Sequence, residues 1–284
     1  MTIKPVFRFA PSPNGALHLG HAYSALLNHA LAKAVGGRFL IRIENIDPTR
    51  CTPALEAAML DDLCWLGLEW EKPVLRQSER FAAYQATLDM LQARDLIYPA
   101  FLTRTQIRQH AATHQNWPHD PEGSPHYPGQ EKGWNMKQQA EAMAGAKAFA
   151  WRLDMQKALA LHPVAGAGKW GDVILGRKET PTSYHLAVVL DDAAQAVSHV
   201  VRGLDLAGAA PLHRLLQKIL RLNEPLIHHH RLILDREGNK LSKSKHSTSL
   251  ASLRKQGASA CDIRARIKFN RQELDAIITE LQLN

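Results

Sequence analysis

Cysteine is scarce in this chain. Cys51, Cys64 and Cys261 are the only three in 284 residues, and no Cys-x-x-Cys pair occurs. That excludes a disulfide framework and suits a reducing compartment. Long apolar runs are missing as well. Stretches such as Leu186 to Leu190 are strand-sized, far short of the roughly 20 residues of a membrane-spanning helix, so no membrane partner is expected. Met1 to Pro5 lead straight into a strand-like segment. No secretory leader is therefore read, and a cytoplasmic location is expected. Internal repeats are absent too.

What is present is ordinary for a globular protein: 45% hydrophobic and 22% charged residues, enough apolar surface to exclude disorder over most of the chain. Lys and Arg total 35 against 27 Asp and Glu, a net charge of +8. Such a balance suggests a polyanionic partner, but charge alone does not separate nucleic acid, nucleotide and acidic lipid. The length allows about two domains of roughly 150 residues, or one large domain with an insertion.

Val6 to Ala10 reads as a short buried strand, Pro11 to Gly15 as a turn, Ala16 to Val35 as a helix, and Arg38 to Glu44 as a second strand. Strand, helix and strand within about 40 residues form the unit of a doubly wound parallel sheet. Thr52-Pro53 opens another helix through an N-cap residue and a proline at its first position. Cys64, in that helix's apolar run, is expected in the core. A further helix starts near Ser78. Residues 104–147 are polar, rich in His, Gln, Pro and Gly, and read as an insertion. Strand patterns return at 148–153, 172–177 and 199–203, and the apolar run Tyr184 to Leu190 ends at Asp191-Asp192. The remainder is mostly helical, with one stripe over Leu212, Leu215, Leu216, Ile219 and Leu220 and a helix starting near Ser249. The expected blocks are 1–103, the first half of a catalytic domain; 104–147, the insertion; 148–206, the second half; and 207–284, a helical region.

Two motifs carry chemistry. His18-Leu19-Gly20-His21 follows the first strand, where parallel sheets bind ligands and a helix N-terminus favours anions. Its histidines, three apart, share a helix face, and Gly20 lets a flat base or a phosphate approach. Lys240-Leu241-Ser242-Lys243-Ser244 follows turn residues. Lysines on such a loop stabilise charge that develops as pyrophosphate leaves.

Together, in this order, the motifs resemble the His-Ile-Gly-His and Lys-Met-Ser-Lys-Ser signatures of class I aminoacyl-tRNA synthetases. Arg8 to Gly15, Arg42 to Arg50, Tyr184 to Asp192 and Val201 to Leu206 look like the glutamyl branch. The likeness spans nearly the whole chain and is weakest in the insertion. Only 40 residues follow Ser244, too few for a large anticodon-binding region, so the likeness is to the short glutamyl-queuosine tRNA(Asp) synthetase family. The resemblance implies an α/β fold: a Rossmann-like doubly wound parallel sheet with an inserted subdomain and a short C-terminal helical region, with no anticodon-binding domain.

It also implies tRNA-independent activation of glutamate with ATP and Mg²⁺, then transfer to queuosine in the anticodon stem-loop of tRNA(Asp). His18, Gly20, His21 and Lys243 would bind ATP, and His18, His21, Lys240 and Lys243 would serve catalysis. Arg8, Ser12, Glu44, Tyr184 and Arg202 would bind glutamate, with Glu44 on the ammonium and Arg202 on the γ-carboxylate. Lys245, Arg254, Arg264 and Arg266 would meet tRNA phosphates. Members of the family commonly carry zinc on three cysteines and a tyrosine. Here Tyr127 survives but the cysteines do not, so no structural zinc is expected. A substitute site from His110, His114, His119 and His126 is the alternative, and His228-His229-His230 reads as loop or strand-edge surface and not as a metal site. A truncated glutamyl-tRNA synthetase, an inactive tRNA-binding fragment and a small nucleotidyltransferase are the competing readings. The intact motifs argue against the fragment, and the glutamate-pocket residues against the nucleotidyltransferase.

Overall fold

The computed structural model describes residues 4–145, 148–235, 238, 241 and 248–283. Its strands are β1 (Val6–Phe9), β2 (Arg38–Ile43), β3 (Leu75–Arg76), β4 (Ile97–Ala100), β5 (Ala150–Leu153), β6 (Ile174–Arg177), β7 (His199–Gly203) and β8 (Leu226–His230). Its helices are α1 (Leu19–Ala34), α2 (Pro53–Trp65), α3 (Phe81–Ala93), α4 (Arg104–Ala112), α5 (Met136–Gly145), α6 (Met155–Leu161), α7 (Tyr184–Ala194), α8 (Ala210–Leu220), α9 (Leu250–Lys255), α10 (Ala260–Arg266) and α11 (Arg271–Glu280).

One unit comprises Met1–Glu79, Ala194–Ala207 and Pro225–Asn284. It holds a five-stranded sheet in the order β3-β2-β1-β7-β8, with every neighbouring pair parallel. The chain winds outward from β1 through β2 to β3, then resumes on the far side of β1. That reversal between β1 and β7 is the switch point at which such sheets bind ligands. Alternation along the strands sorts the residues between two faces. Phe7, Phe9, Phe39, Ile41, Ile43 and Val201 join the main core with α1, α2 and the C-terminal helices. Val6, Leu40 and Val200 make a small cluster on the other face. α1 turns into β2 through Gly36-Gly37, where Gly36 takes φ +61° and a Cβ on Gly37 would sit 2.6 Å from the Pro5 carbonyl oxygen.

α2 starts as its cap residues predict, with the Thr52 hydroxyl accepting from the Leu55 amide. Met59 and Leu63 are buried. Cys64, expected in the core, is exposed instead: one residue past Leu63, it points about 100° away from the buried face. Asp62 is buried in the same helix, and burial next to Asp61 raises its carboxyl pKa to about 6. A raised folded-state value means that folding favours the protonated form, so stability falls as pH climbs from about 4 to 6. Asp62→Asn should therefore stabilise the protein by about 1–2 kcal/mol at pH 7.5 and have no effect below pH 4. Melting temperatures at the two pH values check this; an equal shift at both would refute it.

The other unit comprises Arg80–Ala193 and Gly208–Glu224. Compactness thus divides the chain differently from sequence character, and residues 104–147 form only part of this unit. β5 and β6, read as part of the second half of the catalytic domain, pair instead with β4 in a separate antiparallel sheet, order β4-β5-β6. The run Tyr184 to Leu190, strand-sized by sequence, lies in α7, with Leu186 and Val189 packed into this unit's core. A short apolar run fits a buried helix as well as a strand, and packing decided it. Asp191 and Asp192 are consequently buried within the helix rather than ending the run. Asp191 accepts from the Tyr84 hydroxyl at 2.8 Å and from Arg80 Nε at 2.6 Å. Among the described residues no helix is long and apolar enough to cross a membrane.

Candidate active site

The His18-Leu19-Gly20-His21 turn sits at the carboxyl end of β1. Only His21 is inside α1; His18, expected one turn away on the same helix face, is the N-cap. Its Nδ1 accepts from the Gly20 amide at 3.1 Å, and His21 Nδ1 accepts from the His18 amide at 3.2 Å. The two imidazoles cap the helix reciprocally, as Ser and Glu do in a capping box, and their ring centroids are 3.8 Å apart. Gly20 is required by this arrangement. A Cβ there would lie 3.0 Å from His18 Cε1, so the space expected for a ligand first accommodates the capping ring. No acidic residue stands in the first turn, which leaves the helix dipole's positive end suited to phosphate.

Three arginines lie on one sheet face, on adjacent strands: Arg42 on β2, Arg8 on β1 and Arg202 on β7. All are buried. Each stands two positions beyond Leu40, Val6 or Val200 on its own strand and so shares the face of that small cluster. Glu44 follows β2, and its carboxylate receives Arg42 Nη2 at 3.1 Å. Arg42 also donates to Gln195 at 3.2 Å. Ser12 lies in the loop after β1, 3.6 Å from Cys51 Sγ, and the loop joins the end of β2 through the Glu44 amide and the Pro11 carbonyl oxygen, 3.0 Å apart. Arg8, Ser12, Glu44, Arg202 and the His18 turn thus belong to one unit and one sheet edge. Asn28, fully buried in α1, ties the helix to β7 by donating to the Val201 carbonyl oxygen at 2.9 Å.

Lys240 and Lys243 lie outside the described residues. The chain's return from that motif is described: Ser249 forms a bridge with His18, and the Leu250 amide donates to the Leu17 carbonyl oxygen at 2.8 Å. Ser249, five positions past Ser244, is thus joined to the first residue of the histidine motif, more than 200 positions earlier in the sequence. Tyr184 stands in the other unit at the start of α7, 5.3 Å from the His185 ring and 5.8 Å from that of His213.

Where the resemblance implied a tyrosine and three thiolates, Tyr127 has another task. Its hydroxyl donates to the buried Glu131 carboxylate at 2.7 Å and accepts from the Phe101 amide at 3.2 Å, while Tyr98, Ala100 and Ile107 pack around it. One carboxylate and an apolar wall do not fit structural zinc, which takes four side-chain ligands. His110 and His114 stack on each other at 4.2 Å and against Trp117. Among the described residues no group of three or more His, Cys, Asp or Glu is placed to hold a metal.

Of the basic residues expected on tRNA, Lys245 lies outside the described residues. Arg264 donates to the Leu66 carbonyl oxygen at 3.1 Å, closing the end of α2, and Arg254 pairs with Asp61 at 2.7 Å. Both are engaged in holding α2; Arg266 is exposed. Sequence reading gave no site role to Arg42, Asn28, Ser249 or His229. A charged residue inside an apolar strand, two positions before Glu44 and so on its face, was a usable signal for Arg42. His229, which receives the Arg202 Nε–H, had none.

A parallel sheet with a histidine-capped helix at its switch point, and a returning C-terminal segment anchored on that cap, defines the catalytic domain of a class I aminoacyl-tRNA synthetase. Residues 4–276 match the family described as tRNA synthetases class I (E and Q), catalytic domain, and the chain belongs to that family. It is 43% identical over 277 residues to the glutamyl-Q tRNA(Asp) synthetase of Rhodobacter capsulatus, a match covering 92% of this chain and 99% of that one. With the Nocardia farcinica protein of the same name it shares 38% over 263 residues, 91% of this chain and 82% of the other. A glutamate tRNA ligase from Elizabethkingia meningosepticum, solved with its amino acid, superposes with a TM-score of 0.71 at 27% identity. That match covers 86% of this chain and 52% of the ligase, so the chain spans about half of the ligase's length.

Proposed function

We propose that this protein activates glutamate with ATP, without tRNA, and transfers the glutamyl group to queuosine in the anticodon of tRNA(Asp). The observation that carries the reading is that nucleotide-binding and carboxylate-binding groups share one sheet edge. The histidine-capped helix offers an anion site, and Glu44 and Arg202 suit the two ends of an acidic amino acid. An α-carboxylate oxygen of glutamate attacks the α-phosphorus of ATP, the bond to the bridging oxygen breaks, and pyrophosphate leaves. The attacking carboxylate is already ionised and needs no general base, so the protein contributes position and charge. His18 and His21 hold the nucleotide. Lys240 and Lys243 steady the phosphates, and Mg²⁺ arriving with ATP would supply further neutralisation of their charge. Arg42 holds Glu44 ready for the ammonium. Arg8 and Ser12 complete this edge of the amino-acid pocket; the resemblance alone assigns Tyr184 to glutamate. A hydroxyl of the queuosine ring then attacks the glutamyl carbonyl, loses its proton, and AMP departs. The anticodon stem-loop is the part of tRNA(Asp) presented, held through phosphate contacts that weaken as salt rises.

The test is labelled glutamate with queuosine-containing tRNA(Asp), queuosine-free tRNA(Asp) and tRNA(Glu). Label on the first alone is expected. Label on the terminal adenosine of tRNA(Glu) would show a truncated glutamyl-tRNA synthetase instead, and no glutamate-dependent pyrophosphate exchange would show an inactive fragment.

A further inference from the structure

Beside Arg202 lies a residue that neither the motifs nor the reaction accounts for. In the β7–β8 ladder, Arg202 is in direct register with His229, so their side chains stand on the same face of the sheet. Arg202 Nε donates to His229 Nε2 at 3.4 Å. The neighbours in the triplet are turned elsewhere: His228 Nδ1 lies 2.9 Å from Glu280 Oε1, and His230 Nδ1 lies 2.8 Å from the Arg231 carbonyl oxygen.

We propose that His229 is a positioning residue for the amino-acid pocket: by accepting the Arg202 Nε–H it sets the plane in which that guanidinium meets the substrate's side-chain carboxylate. The proposal rests on the assignment of Arg202 to that carboxylate. Bidentate recognition requires the guanidinium and carboxylate to be coplanar, and a guanidinium secured through Nε does not swivel about its stem. An imidazole accepts at Nε2 only when that nitrogen is unprotonated, which puts the ring proton on Nδ1. Burial, followed by the nearby Arg202 charge, lowers the His229 pKa to about 4. The ring therefore remains an acceptor at every pH at which a synthetase is assayed. A carboxylate in its place would add a negative charge that competes with the substrate; a neutral imidazole orients the arginine without one.

Glutamate-dependent pyrophosphate exchange tests this with His229→Leu, His229→Gln, Arg202→Ala and the double variant. His229→Leu should raise KM for glutamate about 10-fold, with kcat, KM for ATP and melting temperature near wild type. His229→Gln, whose amide oxygen still accepts, should recover most of the loss. In an Arg202→Ala background, His229→Leu should cost nothing further. Should His229→Leu not fold, the wild-type protein still decides: ¹⁵N-histidine spectra should show an unprotonated Nε2 whose shift moves on adding glutamate. An unmoved glutamate KM in folded His229→Leu, equal changes in glutamate and ATP KM, or a protonated Nε2 would overturn the proposal while leaving the pocket assignment standing. Unchanged glutamate KM in Arg202→Ala would remove the pocket assignment itself, and the proposal with it.

Discussion

Arg202→Ala should raise KM for glutamate by about 10²–10³-fold while leaving KM for ATP unchanged. Arg202 is 5% exposed on β7, where water is a poor substitute for a guanidinium. Removing one partner of a buried ion pair costs about 3–5 kcal/mol, because the remaining charge is stranded. The same reasoning sets amino-acid choice. Glutamine presents a neutral amide and leaves the guanidinium without its counter-charge, so glutamine should be a poor substrate of the wild-type protein. Exchange kinetics at saturating ATP, with glutamate and then glutamine varied, measure both effects. A parallel rise in KM for ATP would mean that Arg202 supports the sheet edge as a whole and does not select the amino acid.

Lys243→Ala should slow activation by about 10²–10³-fold, the effect of losing one preorganised charge at a developing anion. Binding of glutamate and the melting curve should be unaffected. Lys243 lies six positions before Ser249, the residue bridged to His18. That bridge brings Ser249 to the first residue of the histidine motif, and the short sequence distance from it to Lys243 supports a role on the phosphates. Calorimetric glutamate binding combined with single-turnover adenylate formation separates the two effects. A Lys243→Ala protein that forms adenylate at the wild-type rate would take this lysine out of the chemistry.

By itself the sequence determined the local events of the fold. Pro11 to Gly15 had to leave the first strand, Thr52-Pro53 had to open a helix, and Ser249 had to cap one, because caps and turns depend on residues within a few positions of each other. The two signatures and the missing thiolates were legible for the same reason. Tertiary structure decided which sheet each strand joined, that Tyr184 to Leu190 is helical, and that Asp191 is buried against Tyr84 and Arg80. It also turned Cys64 outward and drew Arg254 and Arg264 onto α2. Most telling are the pairs behind the pocket. Arg202 meets His229 from 27 positions away, and Arg42 meets Gln195 from 153. A one-residue slip of β2, β7 or β8 would turn Arg42, Arg202 or His229 to the opposite face. Their meeting is therefore a property of register, and register is set by packing of the whole sheet rather than by any short stretch of the chain.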